Sequence, residues 1–130
     1  MRSLLLVAAL AACGGDDGGA PAPDAFVKLD AGVTATVMEV SCTGVTANAT
    51  VTTTDLVDKY SPMSTTITVG QVVKFTTSAN HDVKPNPIAP KTDPGLSVGF
   101  NKTTCLKFTA TGAYGFLCSI HGFVGTITVN

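Results

Sequence analysis

The residues best suited to chemistry here are two His and four Cys, and three of these six fall in a suggestive order. Cys118 and His121 stand in a Cys-x-x-His spacing close to the end of the sequence, and His81 lies upstream. One soft thiolate with two imidazoles is the trigonal set that copper takes in electron-transfer sites, usually with a weak axial Met. Carrying that set on a stiff β-scaffold limits geometric change between Cu(I) and Cu(II), which favours fast electron exchange. Two other chemistries use the same residue types. A structural zinc site wants four protein ligands, whereas this pattern offers three, and a catalytic zinc wants a base that the motif lacks. A Cys–His pair can be nucleophilic, but no oxyanion-hole or orienting motif accompanies Cys118 and His121. Copper enzymes with a second metal need further His ligands, and the sequence has only two His.

Short strands must position these residues. Segments 33–42 and 49–54 are rich in β-branched residues, as strands are. Residues 67–69, Gly70-Gln71 and residues 72–77 read as strand, turn, strand. In the second of these, Val73, Phe75 and Thr77 share one face, and Val72, Lys74 and Thr76 share the other. His81 follows after a brief break. Segment 84–99 contains Pro85, Pro87, Pro90 and Pro94, which rules out a central strand and predicts a long loop. Residues 104–110, a turn at Thr111-Gly112, and residues 114–118 and 125–129 complete the pattern. The loop between the last two strands carries His121. Asp55 near a helix-like start predicts one short helix over 54–60. Many short strands with Gly/Pro punctuation predict an all-β sandwich or barrel.

The 130 residues support one domain, and a net charge of −1 leaves no basic patch for nucleic acid. A 45% hydrophobic, 13% charged composition is too apolar for disorder. Residues 1–12 are expected to be a secretory signal, with Arg2 ahead of a short apolar run. Leu10-Ala11-Ala12-Cys13 resembles a bacterial lipobox, which implies a lipidated Cys13. Ordinary cleavage after Ala11 is the competing reading. Residues 13–24, rich in Gly, Asp and Pro, are expected to form a flexible linker, and residues 25–130 the folded domain. Both readings place the protein outside the cytoplasm, in the periplasm or at the cell surface, where disulfides persist. Asn48-Ala49-Thr50 and Asn101-Lys102-Thr103 match glycosylation sequons and are read as accidental in an exported bacterial lipoprotein.

The chain resembles the cupredoxin family, specifically the small plastocyanin- and amicyanin-like proteins. The resemblance covers roughly residues 61–130. It rests on Ser61-Pro62, Ile67-Thr68-Val69-Gly70, Asn80-His81-Asp82-Val83, Gly112-Ala113-Tyr114-Gly115-Phe116-Leu117-Cys118 and the loop and strand that follow. It implies a Greek-key β-sandwich with one copper at one end, held by His81, Cys118 and His121. The implied role is a one-electron carrier rather than an enzyme, monomeric, meeting transient redox partners and tethered to a membrane through Cys13. One departure matters. The family's axial Met usually stands three residues after the second His, where this chain has Val124, which cannot coordinate. The Asn80 backbone carbonyl is the axial alternative that the resemblance suggests, and Met63 is read as core packing or, less favoured, as an axial donor. Loss of a thioether raises the potential. That departure also motivates the alternative of a non-redox module for copper binding, storage or sensing.

Asp82 stands where related proteins often carry Asn. Its carboxylate is expected either to bridge to Ser119, tying the two ligand loops together and lowering the potential, or to face solvent. With Cys13 given to lipid and Cys118 to metal, Cys42 and Cys105 are expected to pair. Phe123 is read either as part of an apolar rim around His121, where redox partners dock, or as packing over the metal loop.

Overall fold

Alternating inward apolar and outward polar side chains shape nine strands, and the computed structural model describes residues 34–130. They are β1 (Val37–Val40), β2 (Ala49–Thr54), β3 (Val57–Ser61), β4 (Ser64–Ile67), β5 (Val72–Thr76), β6 (Lys84–Pro85), β7 (Thr103–Phe108), β8 (Gly112–Leu117) and β9 (Val124–Val129). One sheet has the order β1-β7-β5-β2-β3 and the other β4-β9-β8-β6. Only β2–β3 and β8–β9 are consecutive neighbours within a sheet. Elsewhere from β3 to β8 each connection crosses to the other sheet. The pairs β2–β5 and β4–β9 are parallel and the remaining pairs antiparallel. No helix occurs among the described residues, and the fold is the expected all-β sandwich. The signal segment 1–12, Cys13 and the linker lie outside the described residues, as does the start of the proposed domain at residue 25.

The core lies between the sheets. Val51, Val73, Phe75, Leu106 and Phe108 meet Ile67, Tyr114, Phe116, Ile127 and Val129 there, all buried. Phe75 and Phe116 pack edge to face with centroids 5.5 Å apart, and Phe108 and Tyr114 do so at 5.2 Å. A quadrupolar ring prefers such edge contacts over a flat sandwich. At Gly125 a Cβ would collide with the Phe116 ring, so the absence of a side chain there lets Phe116 fill the centre.

Two expectations need correction. Segment 54–60, expected as a helix, is instead the end of β2, a two-residue turn at Asp55-Leu56 and most of β3, with Thr54 opposite Val57. Asp55 spends its carboxylate on the Asn80 N–H at 3.0 Å instead of capping a helix. Segment 84–99 is mostly loop, but Lys84 and Pro85 form an edge strand on β8. A proline is tolerated at an edge because no ladder donor is required of it there. The strand, turn, strand reading of 67–77 holds, with β4 and β5 falling in different sheets.

Cys42 and Cys105 are joined by a disulfide, with Cα atoms 5.3 Å apart. Alternation along β7 puts Cys105 on the face opposite Leu106 and Phe108. The bridge therefore ties the 41–48 segment to the outer face of the sheet and stays out of the central core.

Candidate metal centre

Strand alternation delivers the thiol. Tyr114 and Phe116 point inward from β8, and Cys118 continues that face just beyond the strand's end, fully buried and free of any disulfide. The loop after it is closed by two backbone bonds, Gly122 N–H to Cys118 O at 2.9 Å and Cys118 N–H to Phe123 O at 3.0 Å. Gly122 takes φ 71°, a left-handed conformation that glycine adopts without steric cost. This tight loop folds His121 back over Cys118. His81 arrives from the other sheet, after β5 and a turn in which its N–H meets the Ser78 carbonyl at 3.4 Å.

The three predicted residues converge. His81 Nδ1 and His121 Nδ1 are 3.1 Å apart, and Cys118 Sγ lies 3.8 Å from the first and 3.6 Å from the second. Together they form a cluster of candidate metal-binding atoms among the described residues. The point equidistant from all three atoms in their plane is about 2.0 Å from each, the length of a bond from a first-row metal to imidazole nitrogen and slightly short for thiolate sulfur. His81 Nε2 is 3.1 Å from the Thr54 carbonyl. A carbonyl only accepts, so Nε2 carries the ring proton and Nδ1 turns a lone pair to the cluster. An outer acceptor that fixes the tautomer in this way is the usual partner of a ligating His. One soft sulfur and two imidazole nitrogens in a triangle fit copper, and three donors fall short of a closed zinc site.

The surroundings hold these side chains still. Phe123 is half-buried, edge-on to His81 at 5.0 Å and stacked on His121 at 6.3 Å. Its packing reading therefore stands, and Ile120 at 66%, Val124 at 52% and Phe100 at 38% are exposed apolar residues in the same region. Tyr60 packs against Phe116 and Phe123, both at 4.6 Å, and its hydroxyl donates to the Asp82 carbonyl at 2.6 Å. Burial pushes the Tyr60 phenol well above its ordinary value, with Cys118 and Asp82 acting in the same direction, so it stays a neutral donor.

Asp82 is buried, and its two oxygens accept from the Ser119 N–H and the Ser119 hydroxyl, each at 2.7 Å. The loop bearing His81 is thereby tied to the loop bearing His121. Val124 opens β9 with a hydrocarbon side chain. Met63 is exposed, so its side chain is not part of the core, and its carbonyl accepts from Thr126 N–H at 2.9 Å. Asn80 is exposed beside His81, its N–H bound to Asp55.

A depression of about 300 Å³ opens beside the histidines. Asp55, Asp58, Asn80, Phe100, Ile120 and His121 are among the residues that line it. His121 is exposed there, while His81 and Cys118 are sealed from solvent. Sequence reasoning missed Thr54, Asp55 and Asp58 as neighbours of His81. A backbone acceptor has no side-chain signature, and the two carboxylates come from a segment read as helix.

No family model matches the sequence, and no curated protein matches it. Solved structures do. Amicyanin from Paracoccus versutus (Thiobacillus versutus) superposes with a TM-score of 0.53 at 20% identity, covering 75% of this chain and 100% of that one. A purple cupredoxin from Nitrosopumilus maritimus gives 0.51 at 22% identity, covering 64% and 100%. The fold is that of the cupredoxins. A reduced Cu(I) form of an amicyanin variant also matches, with a TM-score of 0.51 at 19% identity, covering 73% of this chain and 99% of that one. In this cupredoxin fold the His81–Cys118–His121 cluster sits on the loops that close one end of the sandwich.

Proposed function

We propose that this protein is a type 1 copper electron carrier, with one copper held by His81, Cys118 and His121. The observation that carries the reading is the triangle of two Nδ1 atoms and one Sγ, with edges of 3.1, 3.6 and 3.8 Å. The amicyanin neighbour in a Cu(I) form supports copper over other metals. Copper bound there supplies one-electron redox chemistry. The chain's own residues do the rest. Phe123, Tyr60 and the Thr54 carbonyl restrain the ligands, which keeps reorganisation small. The exposed His121 edge offers a route for electrons to a transient partner. Val124 supplies no axial donor; the Asn80 carbonyl is the favoured axial candidate and Met63 the less favoured one. Absence of a thioether raises the potential, and the Asp82 carboxylate beside the site lowers it.

The protein works as an exported monomer, in the periplasm or at the cell surface, attached to a membrane by lipid at Cys13. Val124 also keeps a second reading in view, a non-redox copper-binding, storage or sensing module. Voltammetry of the copper-loaded protein separates the two. A reversible one-electron wave, absent in Cys118→Ser, is the carrier's signature. Loaded protein with no reversible wave would leave the binding module.

A further inference from the structure

The tip of the β2–β3 hairpin is held by hydrogen bonds and hardly by packing. β3 is the edge strand of its sheet, and its pairing with β2 shifts register between Thr52 and Thr54. Leu56 at the tip is 93% exposed. An edge strand with a bulge and no buried tip residue belongs to the part of a fold that opens most readily. Yet this tip carries the Thr54 carbonyl that fixes the His81 ring. Three consecutive residues sew it to the 78–81 segment. Thr53 Oγ accepts from the Ser78 N–H at 2.8 Å and lies 3.1 Å from Ser78 Oγ. Asp55 Oδ1 accepts from the Asn80 N–H at 3.0 Å. The Thr54 carbonyl, between these two ties, meets His81 Nε2 at 3.1 Å.

We propose that Asp55 is a positioning residue for His81: its carboxylate pins the hairpin tip to Asn80, so that the Thr54 carbonyl keeps the His81 Nε2–H and leaves Nδ1 facing Cys118 and His121. This rests on the reading of His81 as a metal ligand. Without the tie, the Thr54 carbonyl moves away with the tip. The Asp58 carboxylate, 3.8 Å from Nε2, is itself 65% exposed and on the same hairpin. The His81 ring then samples other orientations, and the three-atom triangle loosens. The Ser78 side chain and the Asn80 N–H also hold the Asp55 carboxyl below its ordinary value.

The test compares Asp55→Ala with Asp55→Asn, which keeps an acceptor oxygen for the Asn80 N–H. In metal-free, ¹⁵N-labelled protein, solvent exchange of the His81 Nε2 proton should be about tenfold faster in Asp55→Ala, as expected of a locally opened segment. It should return to within about threefold of the parent in Asp55→Asn. Exchange of the core amides of Phe108 and Ile127 should be unchanged, which separates a local tie from general destabilisation. With copper loaded, transfer of the metal to a chelator should accelerate about tenfold in Asp55→Ala only. Unchanged Nε2 exchange in Asp55→Ala, or an Asp55→Asn variant as leaky as Asp55→Ala, would overturn the proposal. A parent that binds no copper would overturn the functional reading, while the metal-free exchange still decides the role of Asp55 at the ring.

Discussion

Replacing Asp82 by Ala should destabilise the metal-free protein by about 2–4 kcal/mol, and the size follows from what the carboxylate holds. Asp82 is 1% exposed and accepts two bonds of 2.7 Å, from the Ser119 N–H and hydroxyl. Hydrogen bonds to a charged acceptor contribute about 1.5–3 kcal/mol each, so the pair is worth roughly 3–6 kcal/mol. Ser119 is exposed and its donors regain water when the carboxylate is gone, which brings the net cost to the lower range. For a domain near this size, that is a fall in Tm on the order of 10–25 °C. Asp82→Asn keeps one acceptor for the N–H, and the Ser119 hydroxyl can reverse to accept from the new amide, so its cost should be about 1 kcal/mol. Urea unfolding of metal-free protein is the assay, because bound copper would add its own stabilisation. An Asp82→Ala variant within about 0.5 kcal/mol of the parent would refute the reasoning, as would an Asp82→Asn variant equally damaged. In the copper-loaded protein Asp82→Asn removes a negative charge beside the site and should raise the reduction potential. An unchanged or lower potential would contradict that.

Three further outcomes are expected. Replacing both Cys42 and Cys105 by Ser opens a bridge across a sequence separation of 63; the chain-entropy account gives a loss of about 4 kcal/mol in urea unfolding, with the copper band retained. Asp55 is held below its ordinary value of 3.8, first by the Ser78 side chain and then by the Asn80 N–H, so its NMR titration should have a midpoint below 3.8 that rises towards it in Ser78→Ala. The sign follows from linkage: a carboxyl with a lowered folded value contributes stability above 3.8, and that contribution is lost as the pH falls through the lower value. Gly125→Ala drives a methyl group into the Phe116 ring and should cost about 1–3 kcal/mol, measured as a lower urea midpoint with an unchanged slope.

The His81–Cys118–His121 cluster was legible because its chemistry is written in side chains. Only two His exist, and a Cys-x-x-His spacing after a strand can fold one imidazole back onto the thiol. The burial of Cys118 was equally open to reading, since it shares the inward parity of Tyr114 and Phe116. β3 was hidden because Tyr60 is its only buried residue, so an edge strand with exposed Val57, Asp58 and Lys59 showed no clean alternation. β6 was hidden by its proline and its length of two residues. The Thr54 carbonyl left no trace at all, because every residue has one and only the fold selects which acceptor faces His81. Asp55 did carry a signal, but a turn acid and a helix cap look alike in sequence, and the tertiary bond to Asn80 decides between them.

Titration of the purified protein with Cu(II), followed by optical absorption and EPR, tests the central claim most directly. The account predicts an intense visible thiolate-to-copper band that saturates at one copper per chain and disappears in Cys118→Ser. A colourless product, or a band that survives Cys118→Ser, would contradict it.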